Sequence, residues 1–420
     1  MVAPHTRVPV WLCILTIAAC AEPSDPVALV APSLAAGGVG RPSVLVNPNS
    51  DDRGTARTIQ EGIDMVASGG KVMAVPGTYK ERVVIDKGLT LEAASGDDDD
   101  DDEGGNGQVT IEELTPLGVR EAVIQVVTTE PVTIRGIRVH HVGLRGVNNF
   151  TATSLPFAVD LTIEHASFLG EMANGGAVSI VNNATQSGGR AHLAIRNSSI
   201  HVDAIGVPLG GDVDALVEGN TITAGAACVR LSPTGAGVTV PAGAASNVDV
   251  VNNEFTDCGI NGANGVNIQG DPGAATTGTV NVVGNTFRYA LRTAPPCNTT
   301  AITYQLYSGR IEHNSVINAV QSCANLAFPA AAIRIGAGPR AANVSVRFND
   351  IQGNAFAGLL VRANQTTVLD ATCNGWGSAS GPSGAGTGTG DAIVVETGAA
   401  TPTVTPFATA PIARTGRTSC

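Results

Sequence analysis

The stretch Val280-Asn281-Val282-Val283-Gly284-Asn285-Thr286-Phe287 decides the fold, because it is one of many. An eight-residue segment of the same shape recurs nine times between Val132 and Cys373. The copies begin at Val132, Leu161, Leu193, Ala215, Val248, Val280, Gly309, Val344 and Thr366, at intervals of 22 to 35 residues. Positions one and three are mostly aliphatic, and position eight is aliphatic or aromatic in most copies. Alternation with period two is the mark of a half-buried strand. Position six is Asn in five consecutive copies: Asn220, Asn253, Asn285, Asn314 and Asn349. Asn tolerates the left-handed backbone region, so it fits a tight bend after the strand.

A second apolar strand precedes several copies, as in Ala177–Ile180, Cys228–Leu231, Gly265–Ile268 and Ala332–Ile335. Strand, bend, strand and return loop, repeated at this period, make one coil of a stacked solenoid. The expected fold is all-β: a single-stranded, right-handed parallel β-helix in which the five asparagines stack from coil to coil. Variable repeat length is absorbed by loops.

Composition agrees. The 420 residues include 51 glycines, suited to many turns, and few aromatics. Net charge is −12, of which the run Asp97 to Glu103 supplies −7, leaving −5. No basic stripe exists, which excludes nucleic acid as the expected partner. An unbroken acidic run cannot point all its carboxylates at one calcium ion, so 97–103 reads as a solvated loop.

Residues 1–19 read as an export signal, with His5 and Arg7 ahead of an apolar run from Val8 to Ala19 too short to span a membrane. The sequence Leu15-Thr16-Ile17-Ala18-Ala19-Cys20 resembles the bacterial lipobox, which implies acylation of Cys20 and attachment to the cell envelope. Residues 20–43, rich in Pro, Ala and Gly, read as a flexible tether. The β-helix domain is expected over 44–420: cap and first coils at 44–96, an acidic loop at 97–107, coils at 108–376 and a terminal coil at 377–420. Six cysteines follow Cys20, an even number that favours disulfides in an exported chain. Proximity suggests the pairs Cys228–Cys258, Cys297–Cys323 and Cys373–Cys420. Thr58 and Glu61 form a capping box for a short helix carrying Ile59, Ile63 and Val66 on one face and ending at Gly69-Gly70.

Those residues also carry a resemblance. Thr58-Ile59-Gln60-Glu61 with Ile63, then Gly70-Lys71-Val72, Val75-Pro76-Gly77-Thr78-Tyr79 and Glu81 resemble the opening of pectin lyase-like right-handed parallel β-helix proteins. Cys373-Asn374-Gly375-Trp376-Gly377, Ser380-Gly381-Pro382 and Gly388-Thr389-Gly390-Asp391 resemble the closing segment of exported β-helix proteins. The resemblance implies the fold but no single activity, because the superfamily holds lyases, hydrolases, esterases, epimerases and non-catalytic members. The catalytic signatures are missing. There is no Asn-Thr-Asp with Gly-His-Gly as in polygalacturonases, and no Asp-Thr pair as in pectinesterases. Nor is there the Asp-Pro-His-Asp of alginate epimerases or the Trp-x-Asp-His of pectate lyases.

Two candidate sites follow from stacking, which puts equal repeat positions about 4.8 Å apart in adjacent rungs. The position before the strand is Asp160, His192 and Asp214 in three consecutive copies, with Arg190 and Asp212 two residues earlier. The outer aspartates would stand about 9.6 Å apart, at the upper edge of the spacing in inverting glycosidases. Position four runs Arg135, Glu164, Arg196, Glu218, an alternating charge ladder that Glu312 and Arg347 repeat later. An enzyme here would work through the Asp160, His192, Asp214 patch, where a flanked His could serve as acid or base; a hydrolase would use the aspartates alone. Otherwise it would be a lyase using Arg190 or Arg196 as base, which the resemblance couples to calcium. The other site is an outward column on the second strand type, Ser179, Arg230, Asn267, Thr303 and Arg334, forming a long polar face for an extended polysaccharide. Tyr289, Tyr304 and Tyr307 are the main candidates for stacking on sugar rings. The leading reading is a monomeric, lipid-anchored surface protein that binds polysaccharide without turnover. It needs no metal or cofactor.

Overall fold

The computed structural model describes residues 40–94, 108–115, 120–143, 145–151, 154, 156–172, 176–232, 234–235, 238–239, 244–259, 264–270, 277–289, 300–318, 331–336, 338–354, 356–412 and 420. Cys20, the acidic run 97–103, Cys297 and Cys323 lie outside them. Three long sheets hold nearly all the strands, and every pairing along them is parallel. Successive strands of the chain visit the first, second and third sheet in turn and then return to the first. This is the parallel β-helix.

The repeat read from sequence is the first sheet and its corner. Leu161 pairs with Val132 and Leu193, and Val280 pairs with Val248 and Gly309, so the expected copies are in register. Inward residues of all three sheets merge into one core, with Ile134, Ile163, Ile195, Val217, Val250, Val282 and Ile311 fully buried in successive coils. The copy assigned at Thr366 is displaced. Asp370 bridges Ser345, which puts the start of that copy at Leu369, whose side chain is buried.

The asparagine ladder is present, and its geometry differs from expectation in one respect. The left-handed residue is at position five: His165, Asn197, Gly219, Asn252, Gly284, His313, Phe348 and Cys373 all have φ between 49° and 71°. The Asn at position six is buried and points along the stack. Each one accepts at Oδ1 from the backbone N–H of the rung before it, as Asn285 does from Asn253 at 2.9 Å. Each one also donates from Nδ2 to the next Asn, as Asn285 does to Asn314 at 3.0 Å. The ladder runs one coil further, to Asn374. At the other end Ser198 continues it, its hydroxyl accepting from the Ala166 N–H.

The start of the solenoid is closed by the helix Ile59–Met65. Thr58 caps it, and the Glu81 carboxylate accepts from the N–H groups of Ile59 and Gln60 at 2.7 and 3.0 Å. A carboxylate at a helix N-terminus meets both unpaired donors and the positive end of the dipole. The helix stops at Met65, because Val66 already begins a strand that runs through Gly69-Gly70. The first strand, Arg41–Val46, lies partly within the residues expected to be tether, held by pairing with Val66–Ala74. Cys228 is bonded to Cys258 and Cys373 to Cys420.

Candidate functional site

The connections between sheets are unequal, and this decides where a site can form. From first to second sheet the chain turns in two residues at Gly219-Asn220, Asn252-Asn253, Gly284-Asn285 and His313-Asn314. The stretch 94–108, which holds the acidic run, is the exception. In chain order the other longer intervals between strands all precede or follow a strand of the third sheet. They are 114–123, 257–263, 289–299 and 318–332 on the side of the second sheet, and 149–159, 232–245 and 269–278 on the side of the first.

The patch on the first sheet has the expected register: Asp160 pairs with His192, and His192 with Asp214. It is an open depression, with His192 56% exposed at its side chain. Asp214 is already engaged. Arg190 binds it through two nitrogens, Nε and Nη2, each at 2.7 Å, and Asn247 donates to it at 2.7 Å. The Arg190 guanidinium holds the Asp214 carboxyl below the usual carboxylate range, and Asp214 in turn raises Arg190. A general acid needs the opposite shift in the carboxyl, and a general base needs the opposite shift in the arginine. Arg196 lies between Glu164 and Glu218, at 3.6 and 3.4 Å. Asp212 accepts from the N–H groups of Ala184 and Ala245 and so fastens two connections. The geometry is that of ion-paired surface ladders. The later ladder differs from expectation: Glu312 pairs with Arg310 and Arg347 with Asp370.

The column on the third sheet is in register as expected. Asn148 pairs with Gln125 and Ser179, Pro208 with Arg230, Arg230 with Asn267, Asn267 with Thr303, and Thr303 with Arg334. It is not the open polar face that alternation implies. Ser179 and Thr303 are fully buried, Asn267 is 7% exposed and Arg334 9%. Period-two patterning cannot show this burial. At its N-terminal end Gln125 donates to the carbonyls of Arg120 and Phe150, and Asn148 to that of Arg120. Arg120 and Arg145 lie against the Phe150 ring at 5.4 and 5.2 Å.

The column is mostly buried, with Arg230 half-buried, and is incompletely satisfied. Asn148 Oδ1, Ser179 Oγ, Arg230 Nε, Asn267 Oδ1 and Arg334 Nε are buried without a hydrogen-bond partner. Folded proteins leave few such atoms, and here five lie in one column. Arg334 donates from Nη2 to Asn264 Oδ1 and Thr303 Oγ1, both at 2.9 Å, both neutral acceptors. Burial, reinforced by the neighbouring Arg362 charge, pulls the Arg334 guanidinium down to about 10. The nearby carboxylate of Glu396 is paired with Arg362 at 2.8 Å.

The tyrosines are not platforms. Tyr304 is fully buried and donates to the carbonyls of Val280 and Ser308, and Tyr307 is 5% exposed. The Tyr289 hydroxyl is buried over Gly265. Among the described residues no group of three or more His, Cys, Asp or Glu converges to hold a metal ion, and no helix is long and apolar enough to cross a membrane.

Residues 181–373 match the family described as "Right handed beta helix region", in agreement with the winding expected from sequence. No curated protein matches the chain. Three solved structures align over most of it. The A-module of mannuronan C-5 epimerase AlgE6 from Azotobacter vinelandii is 16% identical, covering 83% of this chain and 93% of that one, with a TM-score of 0.42. The AlgE4 A-module from the same organism is 13% identical over 83% and 94%, with a TM-score of 0.36. A family 28 exopolygalacturonase from Yersinia enterocolitica is 10% identical over 85% and 79%, with a TM-score of 0.31.

Proposed function

We propose that this right-handed β-helix protein binds an extended polysaccharide, without turning it over, along the outer face of its third sheet. The observation that carries this reading is the run of unsatisfied polar atoms from Arg230 through Asn267 to Arg334, on residues that keep some exposure. A ligand rich in hydroxyl groups supplies a donor to the oxygen of Asn267 and acceptors to the guanidinia of Arg230 and Arg334. Arg230 and Arg334 stand three rungs apart, about 14 Å. A buried guanidinium bonded only to neutral groups gains most from an anion, which favours an acidic glycan over a neutral one. Polysaccharide turnover through the Asp160, His192, Asp214 patch has less support, since its best-placed carboxylate is neutralised by Arg190.

The reading includes export and anchoring through an acylated Cys20 at the bacterial cell envelope, with the protein acting as a monomer. Replacing Cys20 with Ala should release the protein in soluble form or leave it uncleaved; a cleaved variant still on the membrane contradicts the anchor. For the ligand, a glycan array probed with the protein lacking residues 1–20 should show binding to acidic polysaccharides. Absence of binding to every acidic and neutral glycan removes the reading.

A further inference from the structure

A second site lies on the second sheet, away from the polar column. Asp350 follows Ser315 in the outward column of that sheet, and Gly375 and Ala408 follow it in turn. The residues around Ala408 to Pro411 pass over this end of the sheet and enclose a cavity of about 110 Å³. Asp350 is 7% exposed, and its carboxylate accepts no hydrogen bond and pairs with no cation among the described residues. It faces the cavity, its Oδ1 standing 3.3 Å from where a Cβ on Gly375 would lie. The Ala410 carbonyl oxygen is 3.8 Å from the same point. One anionic and one neutral oxygen thus converge over the glycine. Burial raises the Asp350 carboxyl above the ordinary range, in keeping with a carboxylate that has no partner of its own.

The remaining lining says which cation fits. Ala379, Ala408, Ala410 and Pro411 give the cavity a small apolar side, beside the polar Gln352, Ser378 and Thr409. Calcium needs six to eight oxygens and is held by several carboxylates, whereas Asp350 is the one carboxylate in this lining. The cavity is also smaller than the roughly 300 Å³ at which sites for drug-sized ligands begin, which favours a small group. A single positive charge with N–H donors on a slender hydrocarbon stem matches all three features. We propose that the Asp350 cavity binds an unbranched primary ammonium group, as carried by a lysine side chain or a short alkylamine. The ammonium donates to Asp350 and to the Ala410 carbonyl, and its methylenes lie along the alanines and Pro411.

The test is a titration of the whole folded protein with n-butylammonium chloride, read by NMR at the Trp376 indole and Gly375 amide, both at the cavity. Saturable binding is expected, with tetramethylammonium and calcium failing to compete. Asp350→Asn should weaken it at least about tenfold, as removal of one partner of a buried charge pair does. Gly375→Ala keeps the carboxylate and fills the space before it, and should abolish binding while the protein stays folded by circular dichroism. N-acetyl-lysine methylamide separates the sources: binding as tight as butylammonium assigns a lysine-bearing partner, and binding of butylammonium alone assigns a free amine. No binding by the natural protein, undiminished binding by the Asp350→Asn or Gly375→Ala protein, or displacement by calcium overturns the proposal.

Discussion

Single residues in this protein are tied to neighbours a full coil away in sequence. Asn285 accepts from the Asn253 backbone and side chain and donates to Val250 and Asn314, all buried. Asn285→Ala leaves several of these groups unpaired, at about 1–3 kcal/mol each. Urea unfolding should show a loss of about 3 kcal/mol or more. Asn220 is the first Asn of the run, yet the Ser198 N–H donates to it and Asn253 accepts from it. Asn220→Ala should therefore cost about as much as Asn285→Ala. Asn252, the left-handed residue beside Asn253, should by contrast accept glycine with little change. Equal, negligible losses at Asn220 and Asn285 would contradict the stacking.

Another residue-scale consequence concerns pH. His141 is 1% exposed on the inward side of the second sheet, where Gly170 in the next coil makes room for its ring. Burial, helped by the charge of His140, pushes its pKa from 6.5 down to about 4. The unfolded chain thus takes up this proton more readily than the folded one. The stability due to the neutral ring is whole above pH 6.5 and is lost as pH falls from 6.5 to about 4, by about 3 kcal/mol. Unfolding midpoints measured at pH 7.5, 5.5 and 4 should fall more steeply for the natural protein than for His141→Leu. Parallel curves would show that the ring is not held neutral.

Among the elements, the first sheet was legible in the sequence because its corner is short. Two residues between strands leave no freedom in register, so the alignment of Asp160, His192 and Asp214 followed from counting. The third sheet was legible in register but not in exposure. Arg334 and Thr303 alternate with apolar residues like any outward side chains, and that alternation carries no sign that they are buried. The last copy was misplaced because Thr366-Thr367-Val368-Leu369 offers two apolar phases, and pairing with the coil before selects the one beginning at Leu369. The bond from Cys228 to Cys258 fastens adjacent coils two residues from Arg230. Replacing both cysteines with Ala should lower stability by about 3 kcal/mol, given the 30-residue separation. An unchanged denaturation midpoint would mean that the neighbouring coils alone fix this corner.

Across the whole molecule, the stack presents three long faces from one repeated coil, and the faces differ. The first carries ion-paired ladders, each pair worth about 1 kcal/mol or less. The second has a short cavity at its C-terminal end. The third carries enclosed polar groups without partners, and on it rests the claim that the protein binds an acidic polysaccharide. Calorimetric titration with one acidic oligosaccharide, chosen from the array, compares the faces directly. Arg334→Met and Asn267→Leu on the third sheet should each weaken binding about tenfold or more, as loss of a buried charged or polar contact does. His192→Ala and Asp160→Asn on the first sheet should leave the affinity within about twofold. The reverse pattern, with affinity lost at His192 or Asp160 and kept at Arg334 and Asn267, would contradict the account and move the site to the first sheet.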